Sequence, residues 1–134
     1  MRVAALTALL LIGTAASAAS WQRETIEYLD GQKIAVYVTE DDIAATPEWQ
    51  PEQGPPPLTL ARLIEIVRAA GAADPRLADA RIREIKLQPV SHHEKQHRWY
   101  YLVKLQSADG HNHYKAVLMN GKLVQAIGEP LPIK

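Results

Sequence analysis

Residues 98–127 read RWYYLVKLQSADGHNHYKAVLMNGKLVQAI, and the pattern of this stretch decides the fold class. Arg98 to Gln106, His113 to Met119 and Lys122 to Ile127 are apolar, aromatic-rich runs of strand length, parted by turns around Asp109-Gly110 and at Asn120-Gly121. Asn-Gly suits a two-residue type I′ turn, in which both central positions need positive φ. In the first run Trp99, Tyr101, Val103 and Leu105 share one face, while Tyr100, Leu102, Lys104 and Gln106 share the other. The first set reads as the core side. Upstream, Ile82 to Val90 supplies a fourth run, joined to the rest by the polar segment Ser91 to His97. The stretch predicts an antiparallel meander.

Before the meander, Thr59 is a fitting N-cap for a helix whose apolar positions Leu60, Leu63, Ile64 and Val67 follow the i, i+3, i+4, i+7 rule, with Gly71 placed to end it. A helix this short is marginal alone, so its apolar stripe must pack on the sheet. Asp74 followed by Pro75 is a second start signal and predicts one further turn through Ala78. Near the N-terminus, Thr25 to Leu29 and Gln32 to Thr39 flank Asp30-Gly31, which predicts a hairpin with Ile34, Val36 and Val38 on its core face. Between hairpin and helix, Glu40 to Pro57 loses all periodicity, holds five of the nine prolines and carries acids without Lys or Arg. It reads as an extended acidic loop. Together these elements predict an α+β fold: an antiparallel sheet, made of an N-terminal hairpin and a C-terminal meander, with one main amphipathic helix on a face.

Residues 1–18 combine Arg2, an apolar run from Val3 to Ile12 and the small-residue ending Ala16-Ser17-Ala18, the pattern of a cleaved secretory signal peptide. The run is about half the roughly 20 residues a membrane span needs. The expected address is therefore periplasmic or secreted, with no stable membrane insertion after cleavage. The expected organisation is a leader at 1–18, a hairpin and acidic loop at 19–57, and a helix plus meander at 58–134, the last two forming one domain. The chain has 15 Lys plus Arg against 15 Asp plus Glu, a formal net charge of zero, and no Cys. Such a balance lacks the basic footprint of a nucleic-acid binder. The missing cysteines exclude disulfides, Cys-ligated zinc and thiol nucleophiles.

The strands "IREIKLQPV", "RWYYLVKLQSADG" and "HYKAVLMNGKLVQA", following a helix after a Pro-rich stretch and a signal peptide, resemble the small exported PepSY-like domains. The resemblance covers Leu58 to Ile127. It departs at Met119-Asn120-Gly121, where many members have an acidic residue and a Thr-Gly pair, and its helix lacks the usual Ala repeat. The resemblance implies a helix packed on an antiparallel sheet and a non-catalytic module that binds, inhibits or otherwise regulates peptidases. It carries no catalytic residue and no cofactor to this chain.

The chemistry offered by the residues themselves is mostly histidine. His92, His93, His97, His111 and His113 fall within one short stretch, and neutral imidazole suits Zn²⁺ or Cu²⁺. A strand of the length of Arg98 to Gln106 holds the two groups about 25 Å apart at roughly 3.3 Å per residue, so no five-histidine site forms. Two partial sites remain, His92, His93 and His97 with Glu94 as an oxygen donor, which is the metal-binding alternative, and His111 with His113 on one side of a strand; solvated loop histidines are the plain reading. No nucleophile elbow accompanies Ser20, Ser91 or Ser107, and neighbours such as Asp41 and Asp42 point to opposite sides of an extended chain. Trp49 reads either as a docking residue or as the anchor of its loop, and Tyr100 and Tyr114 either as a platform or as core. The function expected is non-catalytic binding of a protein or peptide partner, with Trp49, Tyr100 and Tyr114 as candidate contacts.

Overall fold

The computed structural model describes residues 22–132 apart from 92 and 93, so the leader expected at 1–18 lies outside the described residues. Strands β1 (Gln22–Leu29) and β2 (Gln32–Thr39) pair antiparallel from Gln22↔Thr39 to Leu29↔Gln32. Asp30 (φ 52°) and Gly31 (φ 72°) both adopt the positive φ that a type I′ turn demands. Ile34, Val36 and Val38 are buried, as the alternation predicts.

The expected acidic loop opens instead with a helix, α1 (Glu40–Ala45). Thr39 Oγ1 accepts from the Asp42 N–H and Asp42 Oδ2 accepts from the Thr39 N–H, each at 3.0 Å. This is a reciprocal capping box with Asp in the place usually held by Glu or Gln, and Glu40, Asp41 and Asp42 complement the positive end of the helix. Beyond it the chain is irregular except for a 3₁₀ turn at Pro51–Gln53.

Helix α2 (Leu60–Ala72) is capped by Thr59, whose Oγ1 accepts from the Arg62 N–H at 3.2 Å. Leu63 and Val67 are buried among Tyr101, Val103, Leu105 and Val117, whereas Leu60 stays exposed. The helix runs through Gly71 rather than ending there, and Asp74 then caps a 3₁₀ turn at Pro75–Leu77. No helix among the described residues is long and apolar enough to cross a membrane.

Strands β3 (Arg81–Pro89), β4 (Trp99–Gln106), β5 (Asn112–Leu118) and β6 (Leu123–Pro130) complete a six-stranded antiparallel sheet in the order β1-β2-β6-β5-β4-β3. The fold is therefore α+β, with the sheet curled on itself. Curling gives β4 two buried faces, which corrects the expectation of a single core side. Tyr101, Val103 and Leu105 meet α2, while Tyr100 and Leu102 meet Ile34, Val36, Val38 and Ile43 across the concave face. Burying a side chain of this size stabilises by about 1.5–3 kcal/mol, so a strand filled on both sides holds the two layers together.

The turn at Asn120-Gly121 differs from the expected type I′ form, and the turn around Asp109-Gly110 has the same geometry as it. Leu118 and Ser107 each accept from a glycine N–H (Gly121 and Gly110) and close their loops through Leu118 N–H to Lys122 O and Ser107 N–H to His111 O. Only the glycine in each loop has positive φ, 87° at Gly121 and 89° at Gly110. These are three-residue loops ending in a left-handed glycine, not type I′ turns, and they set the strand register accordingly. At the outer edge, β3 carries a bulge between Ile82 and Glu84 together with exposed Arg81 and Arg83, features that discourage further strand pairing.

Candidate functional site

Strands β5 and β6 begin as a hairpin and then part. Their ladder holds only Ala116↔Val124 and Val117↔Leu123, after which β6 pairs with β2 through Gln125↔Tyr37, Ile127↔Ala35 and Glu129↔Lys33. Successive residues of a strand aim their backbone groups at opposite edges. The bond from Leu118 N–H to Lys122 O shows that the even-numbered residues of β5 face β6, which places those of Asn112 and Tyr114 in the gap. The bond from Leu131 N–H to Gly31 O shows that the odd-numbered residues of β6 face β2, which leaves Ala126 and Gly128 facing the gap from the other side. Two rows of backbone donors and acceptors thus look at each other with no ladder pair between them, and such groups need partners.

The gap is a cleft of about 390 Å³. His113 and Lys115 line it from β5, Gln125 and Ile127 from β6, and Asp74, Arg76 and Leu77 from the 3₁₀ turn after α2. Asp74 is fully engaged: Arg76 donates from Nε to Oδ1 at 3.1 Å and from Nη2 to Oδ2 at 2.8 Å, and its N–H donates to Oδ1 at 3.0 Å. Those bonds pull the Asp74 carboxyl down to about 2. Lys115 acts on Asp74 only from a distance and holds no ion pair among the described residues.

The concave side of the cleft is closed by the tip of the first hairpin. Asp30 accepts from Lys104 Nζ at 2.8 Å, from the Tyr114 hydroxyl at 2.7 Å and from Asn112 Nδ2 at 3.5 Å. The bond from Lys104, then that from Tyr114, holds the Asp30 carboxyl below its usual range. Burial, reinforced by the Asp30 charge, pushes the Tyr114 hydroxyl far above its ordinary value, so it stays a donor. In the sequence Asp30 carries only the signal of a turn residue.

The residues singled out as contacts sit inside the molecule. Tyr100 is 1% exposed and Tyr114 and Trp49 are each 6% exposed, so their rings are packing surfaces rather than a presented platform. Trp49 takes the anchor role: it packs edge-on against Trp99 with centroids 5.7 Å apart, donates from Nε1 to Gly54 O at 3.2 Å, and donates its N–H to His97 O at 2.9 Å. Tyr100 bonds to Gln88, and Tyr114 has its hydroxyl on Asp30.

His92 and His93 lie outside the described residues, and His97 adopts a positive φ of 55° at the end of their loop. Among the described residues, no three His, Asp or Glu side chains gather as metal ligands. His111 Nδ1 lies 2.8 Å from Asp109 Oδ2, and His113 Nε2 lies 3.2 Å from Ser107 Oγ. Ser107, Asp109 and His113 have the side chains of a hydrolytic triad in the wrong order, because Ser107 gives its hydroxyl proton to Asp109 instead of to an imidazole. That bond, and those from His111, hold the Asp109 carboxyl far below its usual range, where it is no base. The group locks the β4–β5 turn.

The cleft itself carried no signal in the sequence, since it depends on which neighbour β6 chooses after Val124. Compared with known proteins, the chain matches no family model, no curated protein and no solved structure.

Proposed function

We propose that this is an exported, non-catalytic binding module that takes an extended polypeptide segment between β5 and β6. The observation that carries the reading is the pair of facing, unpaired backbone rows at Asn112, Tyr114, Ala126 and Gly128. Main-chain hydrogen bonds to such rows supply affinity for any extended segment, and the flanking side chains supply selectivity. Strands already linked to β2 and β4 hold the rows in place, so little ordering is needed before binding.

The likeness to exported PepSY-like domains over Leu58 to Ile127 supports the same reading, with an envelope peptidase as one type of partner. The signal-like residues 1–18 support a periplasmic or secreted address. The test is amide hydrogen exchange on the chain, with and without an N-acetylated hexapeptide of alternating valine and threonine at millimolar concentration. Slowed exchange at Tyr114, Ala126 and Gly128 is the expected result. Exchange unchanged at those amides, with no chemical shift at the cleft, would overturn the proposal.

A further inference from the structure

The cleft is open at one end and blocked at the other. Where Ala116 pairs with Val124 the two strands zip together, so a chain entering beside Asn112 and Gly128 cannot pass through. The gap spans only residues 112–115 of β5 before that block. An extended segment that fills it must therefore end there. We infer that the cleft recognises the C-terminal carboxylate of its peptide; this rests on the peptide-binding reading above.

The charge of the blocked end selects which terminus arrives. Lys115 and Gln125 are the first residues past the last ladder pair on either strand, and both line the cleft. Lys115 has no ion-pair partner among the described residues, and Arg76 and His113 stand on the same wall. Among the described residues that line the cleft Asp74 is the one carboxylate, and it is already held by three hydrogen bonds from Arg76, as Asp30 on the concave side is held by Lys104 and Tyr114, so neither draws an incoming ammonium. A peptide amino terminus would meet uncompensated positive charge, whereas a carboxylate gains a charge-assisted bond from Lys115 and reach to the Gln125 amide. With its C-terminus at the block, the peptide runs parallel to β5 and antiparallel to β6, and its penultimate side chains lie beside Ile127 and Leu77.

The experiment titrates the full chain, followed by amide shifts, with three probes: the N-acetylated Val/Thr hexapeptide acid, its C-terminal amide, and sodium acetate. The acid is expected to bind about tenfold tighter than the amide, the low end for a charge-assisted hydrogen bond. Lys115→Met, which keeps the apolar stem, should abolish the difference between the acid and the amide. Equal binding of acid and amide at the cleft would overturn the carboxylate inference while keeping the peptide reading. Acetate binding as tightly as the peptide acid would identify a small-carboxylate site and overturn the chain-end inference. No binding of any probe would overturn both.

Discussion

The two halves of the sheet are held in different ways. Strands β3, β4 and β5 are zipped along their lengths and covered by α2 on one face and by the curl on the other. The half made of β1, β2 and β6 is continuous within itself, but it joins the first through a ladder of two residue pairs. Two polar clamps reinforce that seam. At the closed end Lys122 bonds to Asp42; burial pushes that carboxyl up, but the bonds from Lys122 and Thr39 outweigh it and its net shift is downward. At the open end Asp30 reaches Lys104, Tyr114 and Asn112. The second clamp ties side chains on the concave side only, so the backbone rows of Asn112, Tyr114, Ala126 and Gly128 stay without a ladder partner between the two clamps.

The strongest way to challenge the contrast is to damage each half separately. Leu63→Ala removes a fully buried side chain between α2 and the zipped strands and should cost about 3 kcal/mol, lowering the urea midpoint of the whole chain. Gly128→Val acts on the curled half. A Cβ there would stand 2.7 Å from Gln32 Oε1, the movable end of that side chain, and 3.3 Å from Ile34 Cδ1, and the bulk of valine against Ile34 should cost about 1 kcal/mol. Its mark should be faster amide exchange in β1, β2 and β6 with β3 to β5 still protected. Equal loss of protection in all six strands would show one cooperative unit and remove the distinction.

Tyr114→Phe is of similar size and sharpens the comparison at the open clamp. It deletes the hydroxyl bonded to Asp30 and keeps the buried ring, so about 1 kcal/mol is expected in chemical denaturation. Wild-type exchange at Ala126 and Gly128 in this variant would mean that the clamp does not set the cleft.

How much of this was legible follows from how local each feature is. The hairpin at Asp30-Gly31, the α2 cap at Thr59 and the strand runs are written in neighbouring residues, and the structure has each of them. Helix α1 was missed because Thr39 and Asp42 form the capping box with Asp where the usual signal has Glu or Gln. The double burial of β4 was available in the run from Trp99 to Leu105, apolar except at Lys104, which is the composition of a strand covered on both faces. The cleft was not available, because Gln125 to Ile127 reads the same whether its partner is β5 or β2. That choice is made by packing between residues far apart in the chain, with Val124 and Ala126 set against the cluster that holds Ile34, Val36, Tyr100 and Leu102.

The smallest expected effect isolates charge from geometry. Asn suits the left-handed turn position of residue 30 as well as Asp does, so Asp30→Asn keeps the hairpin and removes the anion facing Lys104 and Tyr114. The bond from Lys104, followed by that from Tyr114, lowers the carboxyl in the folded protein below its ordinary 3.8. A depressed folded pKa contributes stability that is present above the unfolded value and is lost as pH falls through the folded value. The stability gap between wild type and Asp30→Asn should therefore be constant from neutral pH down to about 5 and shrink below about 4. Asp42 and Asp74 also titrate in that range with the same sign, but they are common to both proteins and cancel in the difference. Urea midpoints at pH 7, 5 and 3 decide the matter. A gap that persists unchanged at pH 3 would assign the role of Asp30 to the turn and leave the open end of the seam held by the Tyr114 ring and its apolar neighbours alone.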